Sequence, residues 1–334
     1  MRLSSMSSQC PLSSVEIRAV RNTATWAYFL HDIVLQYKAG RRYCKRMDTA
    51  TAVQWLSPML AWRAARLIFA WIMDRACPRL RRACGAPPLS AKDQAEVTTR
   101  TFYAVQHSCL SVIGGLLCWR TGWLTDAEAF YTMPFPHAVR PDDDGNAVRL
   151  FYQIQAGVHV ESAYVLFGNV LREGGRSQRM MLIHHVATLF LVGASWVAGT
   201  FEVGAVVFFL HDVSDIGIDA LKLSRAWGAG ALTQALVYLP TLVSWGLWRC
   251  VYLPLHVLSP GWNKYYEVCV LVPRDECSYG LAALLGLMAL LVLHVVWFVQ
   301  LLRKGLRELR GASSSPIPDM CAPHDSAALR PKKS

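Results

Sequence analysis

The chain has 334 residues, 53% of them apolar, with a mean hydropathy of +0.26 and a formal net charge of +11. This length and composition suit a polytopic membrane domain. The positive charge does not point to nucleic acid, because the basic residues cluster at the ends of apolar segments, where they set membrane topology.

Residues 1–50 form a basic N-terminal tail, rich in Ser and Arg, with Arg41, Arg42, Lys45 and Arg46 in one cluster. Its longest apolar run, Trp26 to Leu30, is too short for the core of a secretory signal. A solvated tail and a mitochondrial-type leader both fit it. Residues 51–99 hold a first, interrupted span and a basic loop. The span, 51–73, contains Pro58, Arg63 and Arg66, so a crossing and an interfacial amphipathic helix are nearly matched as readings. The loop, 74–99, carries Arg75, Arg79, Arg81 and Arg82 ahead of Gly85, Pro87 and Pro88. Cleaner apolar segments follow at 101–119, 150–171, 180–198, 203–221, 231–253 and 279–302. The prediction is an all-α, polytopic transmembrane helical bundle of six or seven spans, with its membrane domain at 100–305. The tail at 306–334, rich in Ser, Pro and Ala, reads as disordered.

The positive-inside rule places the C-terminus in the cytosol. Segments 74–99, 172–179, 222–230 and 303–334 are then cytosolic and basic, while 120–149 and 254–278 carry Asp142, Asp143, Asp144, Asp275 and Glu276. A seventh span sends the basic N-terminal tail to the lumen, against the rule. The ten cysteines show neither CxxC pairs nor zinc-ligand spacing, so no metal is predicted. Cys269 and Cys277 share a lumenal loop in this topology, where a disulfide is compatible.

Residues 180–222 concentrate the chemistry. Two apolar segments carry His184 and His185, then His211, Asp212, Asp215 and Asp219. Ionisable side chains in a membrane helix cost several kcal/mol, so by default they face the bundle interior and serve function. Asp212, Asp215 and Asp219 fall at i, i+3 and i+7 on one helical face, with His211 at its edge; His184 and Thr188 share a face of the preceding helix. The short Gly199–Glu202 link predicts antiparallel packing of the two helices, placing His184 and Asp215 at similar depth.

The run HHVATLFLVGASW, then Gly204 and LHDVSD ending at Asp215, resembles the diagnostic motif of ceramide synthases. These are acyl-CoA-dependent sphingoid-base N-acyltransferases of the TLC-domain membrane superfamily. The His184 to His211 spacing is similar to the family's without a gap, and Asp219 and Lys222 stand where the family has Glu and Lys. Weaker similarity covers residues 100–305, through TFYAVQ at 101–106, Gln155, Ser162, and Arg249 with LPLHVL at 253–258. Two departures stand out: REGGRSQR at 172–179 replaces a charged loop, and Glu202 stands where many members carry a basic residue.

The resemblance implies amide formation between a fatty acyl-CoA and a sphingoid long-chain base, with acyl-CoA as co-substrate and no cofactor. It further implies residence in the endoplasmic reticulum membrane, contact with membrane lipids, and compatibility with a homo- or hetero-dimer. A buried imidazole can deprotonate the attacking amine or attack the thioester itself. The catalytic candidates are His184, as nucleophile or base, with His185 and His211 supporting it and Asp212 or Asp215 orienting it. Substrate-binding candidates are Thr188, Ser214, Asp219, Lys222 and Arg249. Arg172, Arg176 and Arg179 could hold CoA phosphates by Coulomb attraction, or only set topology. His107, His159, His256 and His294 are isolated in sequence and read as core or interfacial residues.

Two other classes compete. Membrane di-iron enzymes need repeated histidine clusters, and an adjacent pair diverges on a helix. A non-enzymatic lipid-handling or regulatory protein of the same superfamily, or a permeation role, would also explain polar spans, though such relatives generally lack the full HH and HD-x-x-SD set.

Overall fold

A computed structural model describes residues 49–127, 129, 131, 143–173, 176–198, 200–267 and 277–309. Residues before 49 and after 309, the side chains of Cys269 and Cys277, for which a disulfide is compatible, and those of Arg172 and Arg176 lie outside the described residues, while 306–309 of the tail read as disordered continue the last helix. All regular structure among the described residues is helical, in seven rods. These are α1 (Thr49–Ala83), α2 (Ala91–Arg120), α3 (Asp143–Glu173), α4 (Arg176–Ala198), α5 (Phe201–Ala226), a composite sixth rod, and α8 (Cys277–Leu309). The sixth joins α6 (Ala231–Trp245), a π-helical stretch (Gly246–Leu258) and α7 (Ser259–Tyr265).

Each predicted apolar segment lies in one of these rods, but the boundaries move. The 74–99 loop shrinks to residues 84–90, because arginine is a good helix former and α1 continues through its basic end. A Schellman motif closes it: Gly85, at φ 65°, donates its N–H to Arg82 O, and Ala86 donates to Arg81 O. Helix α2 then starts under Ser90, whose Oγ accepts from Asp93 N at 3.1 Å. The expected lumenal loop from 254 is also shorter, since the sixth rod runs on to Tyr265. Its wide i→i+5 turns accommodate Pro254, which lacks the N–H an α-helix would need.

Helix α5 is the axis of the bundle. Ala205, Val206, Leu210, Ile218 and Leu221 are fully enclosed, and its most extensive packing is against α2, then α6. Tyr152 of α3 ties it to its neighbours, with its ring edge-on to Phe201 and Phe208, pressed against Gly204, and its hydroxyl donating to Val192 O of α4 at 3.1 Å.

The short link between α4 and α5 does not make them close partners. Helix α4 packs chiefly on α3 and α8 and meets α5 only sparsely. A link fixes where two helices begin, not how far they run together. Here α8 brings His294 and Trp297 up to the rings of both.

Outward faces are apolar: Leu60, Leu67, Ile68 and Trp71 on α1, Ile183, Val186 and Phe190 on α4, and Leu232, Leu236, Leu239 and Val243 on α6 are all exposed. Exposed apolar surface on this scale is the signature of contact with lipid. Among the described residues three rods, Ala91–Arg120, Ala231–Tyr265 and Gly280–Glu308, are long and apolar enough to cross a membrane. This is a membrane protein.

Candidate active site

Imidazoles from four helices converge inside the bundle. His184 and His185 of α4, His211 of α5, His294 of α8 and His159 of α3 form a chain of ring contacts. The centroid of His184 lies 5.6 Å from His185, 6.2 Å from His211 and 6.1 Å from His294, and Trp297 meets its edge at 5.3 Å. His159 stands 6.3 Å from His185 and stacks on Phe208. Two of the rings meet through nitrogen, Nε2 of His211 to Nε2 of His294 at 3.1 Å. His294 is wholly buried and His184 only 8% exposed.

The pattern follows from helical spacing. His211 precedes Asp215 by one turn, so the two lie on adjoining positions of α5 at different depths. The sequence reading pairs His184 with the depth of Asp215; the structure stacks it one turn along, on His211.

The carboxylates expected to orient His184 are engaged elsewhere. Asp212 accepts from Gln155 Nε2 of α3, and Asp215 accepts from Arg249 Nη2 of the π-helical stretch. Asp219 accepts from Arg100 Nη1 at 3.3 Å and meets His107 Nδ1 at 2.8 Å, both on α2. One face of α5 therefore serves three different neighbours, because three helices surround it. Nδ1 of His184 and both ring nitrogens of His185 are buried without a hydrogen-bond partner among the described residues.

Arg249 is an internal brace. Its Nε donates to Ser214 Oγ at 2.6 Å, its Nη2 to His211 O at 3.0 Å and to Asp215, and its guanidinium lies 4.0 Å over Trp245. Arg249 is 1% exposed and Ser214 fully buried. Thr188 Oγ1 donates back to His184 O at 2.9 Å, and Lys222 is buried in the last third of α5. Arg179 is exposed on the first turn of α4, and the described gap between α3 and α4 is only residues 174–175. Glu202 is buried on the first turn of α5, where the helix dipole favours a negative charge. Among the described residues no group of three or more His, Cys, Asp or Glu has the arrangement to hold a metal ion.

His294, His159, His107 and Glu161 were not among the sequence candidates. One signal was available for His294: it is a lone ionisable group deep in the most apolar rod, Gly280–Glu308, the position that by default marks function. Its partner lies 83 residues away, which no local spacing reveals.

The TLC domain profile matches residues 96–303, well over half of the chain, so the chain belongs to the TLC-domain family. That stretch holds every histidine of the cluster. Among curated proteins it is similar to ceramide synthase 1 LOH3 of Arabidopsis thaliana, 29% identical over 204 residues, covering 58% of this chain and 64% of that protein. Ceramide synthase LOH1 of the same plant is 29% identical over 177 residues, covering 51% and 55%. Ceramide synthase hyl-2 of Caenorhabditis elegans is 30% identical over 161 residues, covering 46% and 47%. The chain thus spans about half to two thirds of the length of these relatives.

Proposed function

We propose that this protein is a ceramide synthase-like N-acyltransferase, joining a fatty acyl-CoA to a sphingoid long-chain base to give a ceramide or dihydroceramide. The observation that carries the reading is the convergence of His184, His211 and His294 from three helices into an interior enclosed by apolar side chains. The names of the similar proteins support it.

Amide formation from a thioester needs a neutral amine and somewhere to put its proton. The amine nitrogen attacks the thioester carbonyl, the C–N bond forms, the C–S bond breaks, and the proton leaves nitrogen for sulfur by way of the site. Enclosed imidazoles suit that task, as general base for the amine or as an intermediate acyl carrier. His184 is the central candidate, since its ring touches three other histidines. Acyl-CoA is the co-substrate, no cofactor is invoked, and Arg172, Arg176 and Arg179 are offered as contacts for the CoA phosphates. A homo- or hetero-dimer is compatible with this scheme.

On this reading the protein resides in the endoplasmic reticulum membrane with its C-terminus in the cytosol. It crosses six or seven times, through a catalytic membrane domain at 100–305 preceded by α1 and its basic link. Helix α1 supports the higher count, because its mid-helix Arg63 and Arg66 face the bundle while Leu60, Leu67, Ile68 and Trp71 face outward.

The test is the purified chain in lipid nanodiscs, supplied with a panel of acyl-CoAs and long-chain bases, with N-acylated product read by mass spectrometry. The expected result is product from the native protein and its loss on His184→Ala. Unchanged product from the variant removes His184 from the chemistry; no product from the native protein with any pair favours a non-enzymatic lipid-handling role.

A further inference from the structure

The tautomers of two histidines can be read from their partners. His211 Nδ1 lies 2.7 Å from Val207 O, one turn back on α5. A carbonyl only accepts, so Nδ1 of His211 carries the proton. In the neutral ring its Nε2 is then bare and must accept, and the atom facing it at 3.1 Å is His294 Nε2. His294 is therefore the Nε2–H tautomer, and its Nδ1 holds a lone pair. That Nδ1 is buried and without a partner among the described residues.

The ring of His294 is held in place. Trp245 meets it edge-on at 6.2 Å, Trp297 lies 6.3 Å away, and Trp245 Nε1 donates to the His294 carbonyl at 3.3 Å. The titratable and charged groups around it are His184 from α4, His211 from α5 and Arg249 from the π-helical stretch; α6 contributes the neutral Trp245. Among the described residues no carboxylate stands in this ring of neighbours to receive a proton.

We propose that His294 is the proton-holding residue of the site, paired with His211 through a shared Nε2–H···Nε2 bond anchored on the Val207 carbonyl. The inference rests on the acyltransferase reading and deepens it. As the amine attacks the thioester, its N–H bond breaks, the electron pair stays on nitrogen, and the proton lodges on Nδ1 of His294. The imidazolium so formed keeps its Nε2–H bond to His211, so the second imidazole does the orienting and stabilising work usually given to a carboxylate. When the C–S bond breaks, the proton passes to the departing thiolate, which leaves as the CoA thiol, and His294 returns to its starting tautomer. His211 cannot carry the proton onward, since its Nδ1–H faces a carbonyl. His294 is thus the general base and then the general acid of the step rather than its nucleophile, and His211 is its positioning residue.

The experiment uses the full chain in nanodiscs. His294→Gln retains an amide N–H to donate to His211 but cannot take a proton; His294→Ala loses both functions. The expected result for His294→Gln is native thermal stability, KM within about twofold of the native value, and kcat lower by about 10²-fold. Its kcat–pH profile loses the acid limb. His294→Ala loses at least as much and recovers in part with added imidazole. Native kcat and pH profile in His294→Gln would reduce His294 to a structural hydrogen bond and overturn the proposal, as would native kinetics in His294→Ala. ¹⁵N-histidine NMR of the native protein is a second arm independent of turnover. It should show His211 as the Nδ1–H and His294 as the Nε2–H tautomer, and any other pair overturns the assignment. These tautomers with no N-acylated product would sink the acyltransferase reading while leaving the imidazole pair standing.

Discussion

Arg249 illustrates how a single side chain can be mistaken for a substrate contact. Its charge lies in an apolar rod, and its fork is spent on Ser214, Asp215 and the His211 carbonyl. The His211 carbonyl belongs to the residue whose ring meets His294, so the guanidinium sets the backbone on which the imidazole pair is built. Lysine cannot reproduce a planar fork. Arg249→Lys should therefore lower stability by about 1–3 kcal/mol for the charged group left unsatisfied, and Ser214→Ala by about 1 kcal/mol. Thermal unfolding in nanodiscs checks both; an unchanged melting point with a raised KM would return Arg249 to substrate binding. At this scale the sequence revealed the residue types and not their partners. His184, His185, His211 and the three aspartates were visible because hydrocarbon rejects such groups. Helical spacing orders residues around one rod, however, and the choice among surrounding rods is made by packing. Asp212, Asp215 and Asp219 share a face and still go to α3, the π-helical stretch and α2.

Between elements, the glycine packed most tightly against a neighbour's backbone is where α1 crosses α3. A Cβ on Gly157 would stand 2.6 Å from Pro58 Cβ and 2.8 Å from Met59 N, and backbone cannot step aside as a flexible side chain can. Gly193 on α4 has nothing within 4 Å of the same position. The same substitution should then have opposite signs at the two sites. Gly193→Ala should stabilise by up to about 1 kcal/mol through helix propensity. Gly157→Ala should destabilise by about 1–3 kcal/mol as the helices are forced apart. Melting temperatures of the two variants test this, with protease cleavage in the 84–90 link expected to rise only for Gly157→Ala. Helix positions were legible from apolar runs of the right length, whereas their ends were not. Arginines that look like a loop extend α1 to Ala83, and Pro254, which reads as a stop, sits inside a π-helical turn. Composition marks where hydrocarbon ends, not where hydrogen bonding does.

For the molecule as a whole, the question is whether α1 belongs to the bundle, since the TLC profile begins only at residue 96. The two arginines that made its sequence a poor span are the reason to include it. Arg63 and Arg66 reach Glu161 of α3 at 3.1 and 2.8 Å, and that carboxylate is completely buried. Around this pair, Trp62 Nε1 donates to Gln106 at 2.7 Å, Arg66 lies 4.8 Å over Tyr103, and Phe69 meets Phe102 edge-on. At the far end Arg81 donates to Trp227 O, closing α1 onto the end of α5. Trp62, Arg63, Arg66 and Arg81 of α1 thus each meet a partner on the helices that follow, and the outer face between Leu56 and Ile72 is largely apolar. Removing one partner of a buried ion pair costs about 3–5 kcal/mol, whereas replacing the whole pair with apolar groups of similar volume is often neutral. Deleting residues 1–89 should therefore take Arg63 and Arg66 from Glu161 and give a protein that accumulates poorly and melts well below the full chain. Glu161→Met in the deletion should recover part of the loss; in the full chain Glu161→Met alone should destabilise, and Glu161→Met with Arg63→Met and Arg66→Met should not. Expression yield and melting temperature across these four variants decide it. A deletion that melts like the full chain would make α1 an accessory helix, and the folding unit would shrink to the helices that hold the histidines.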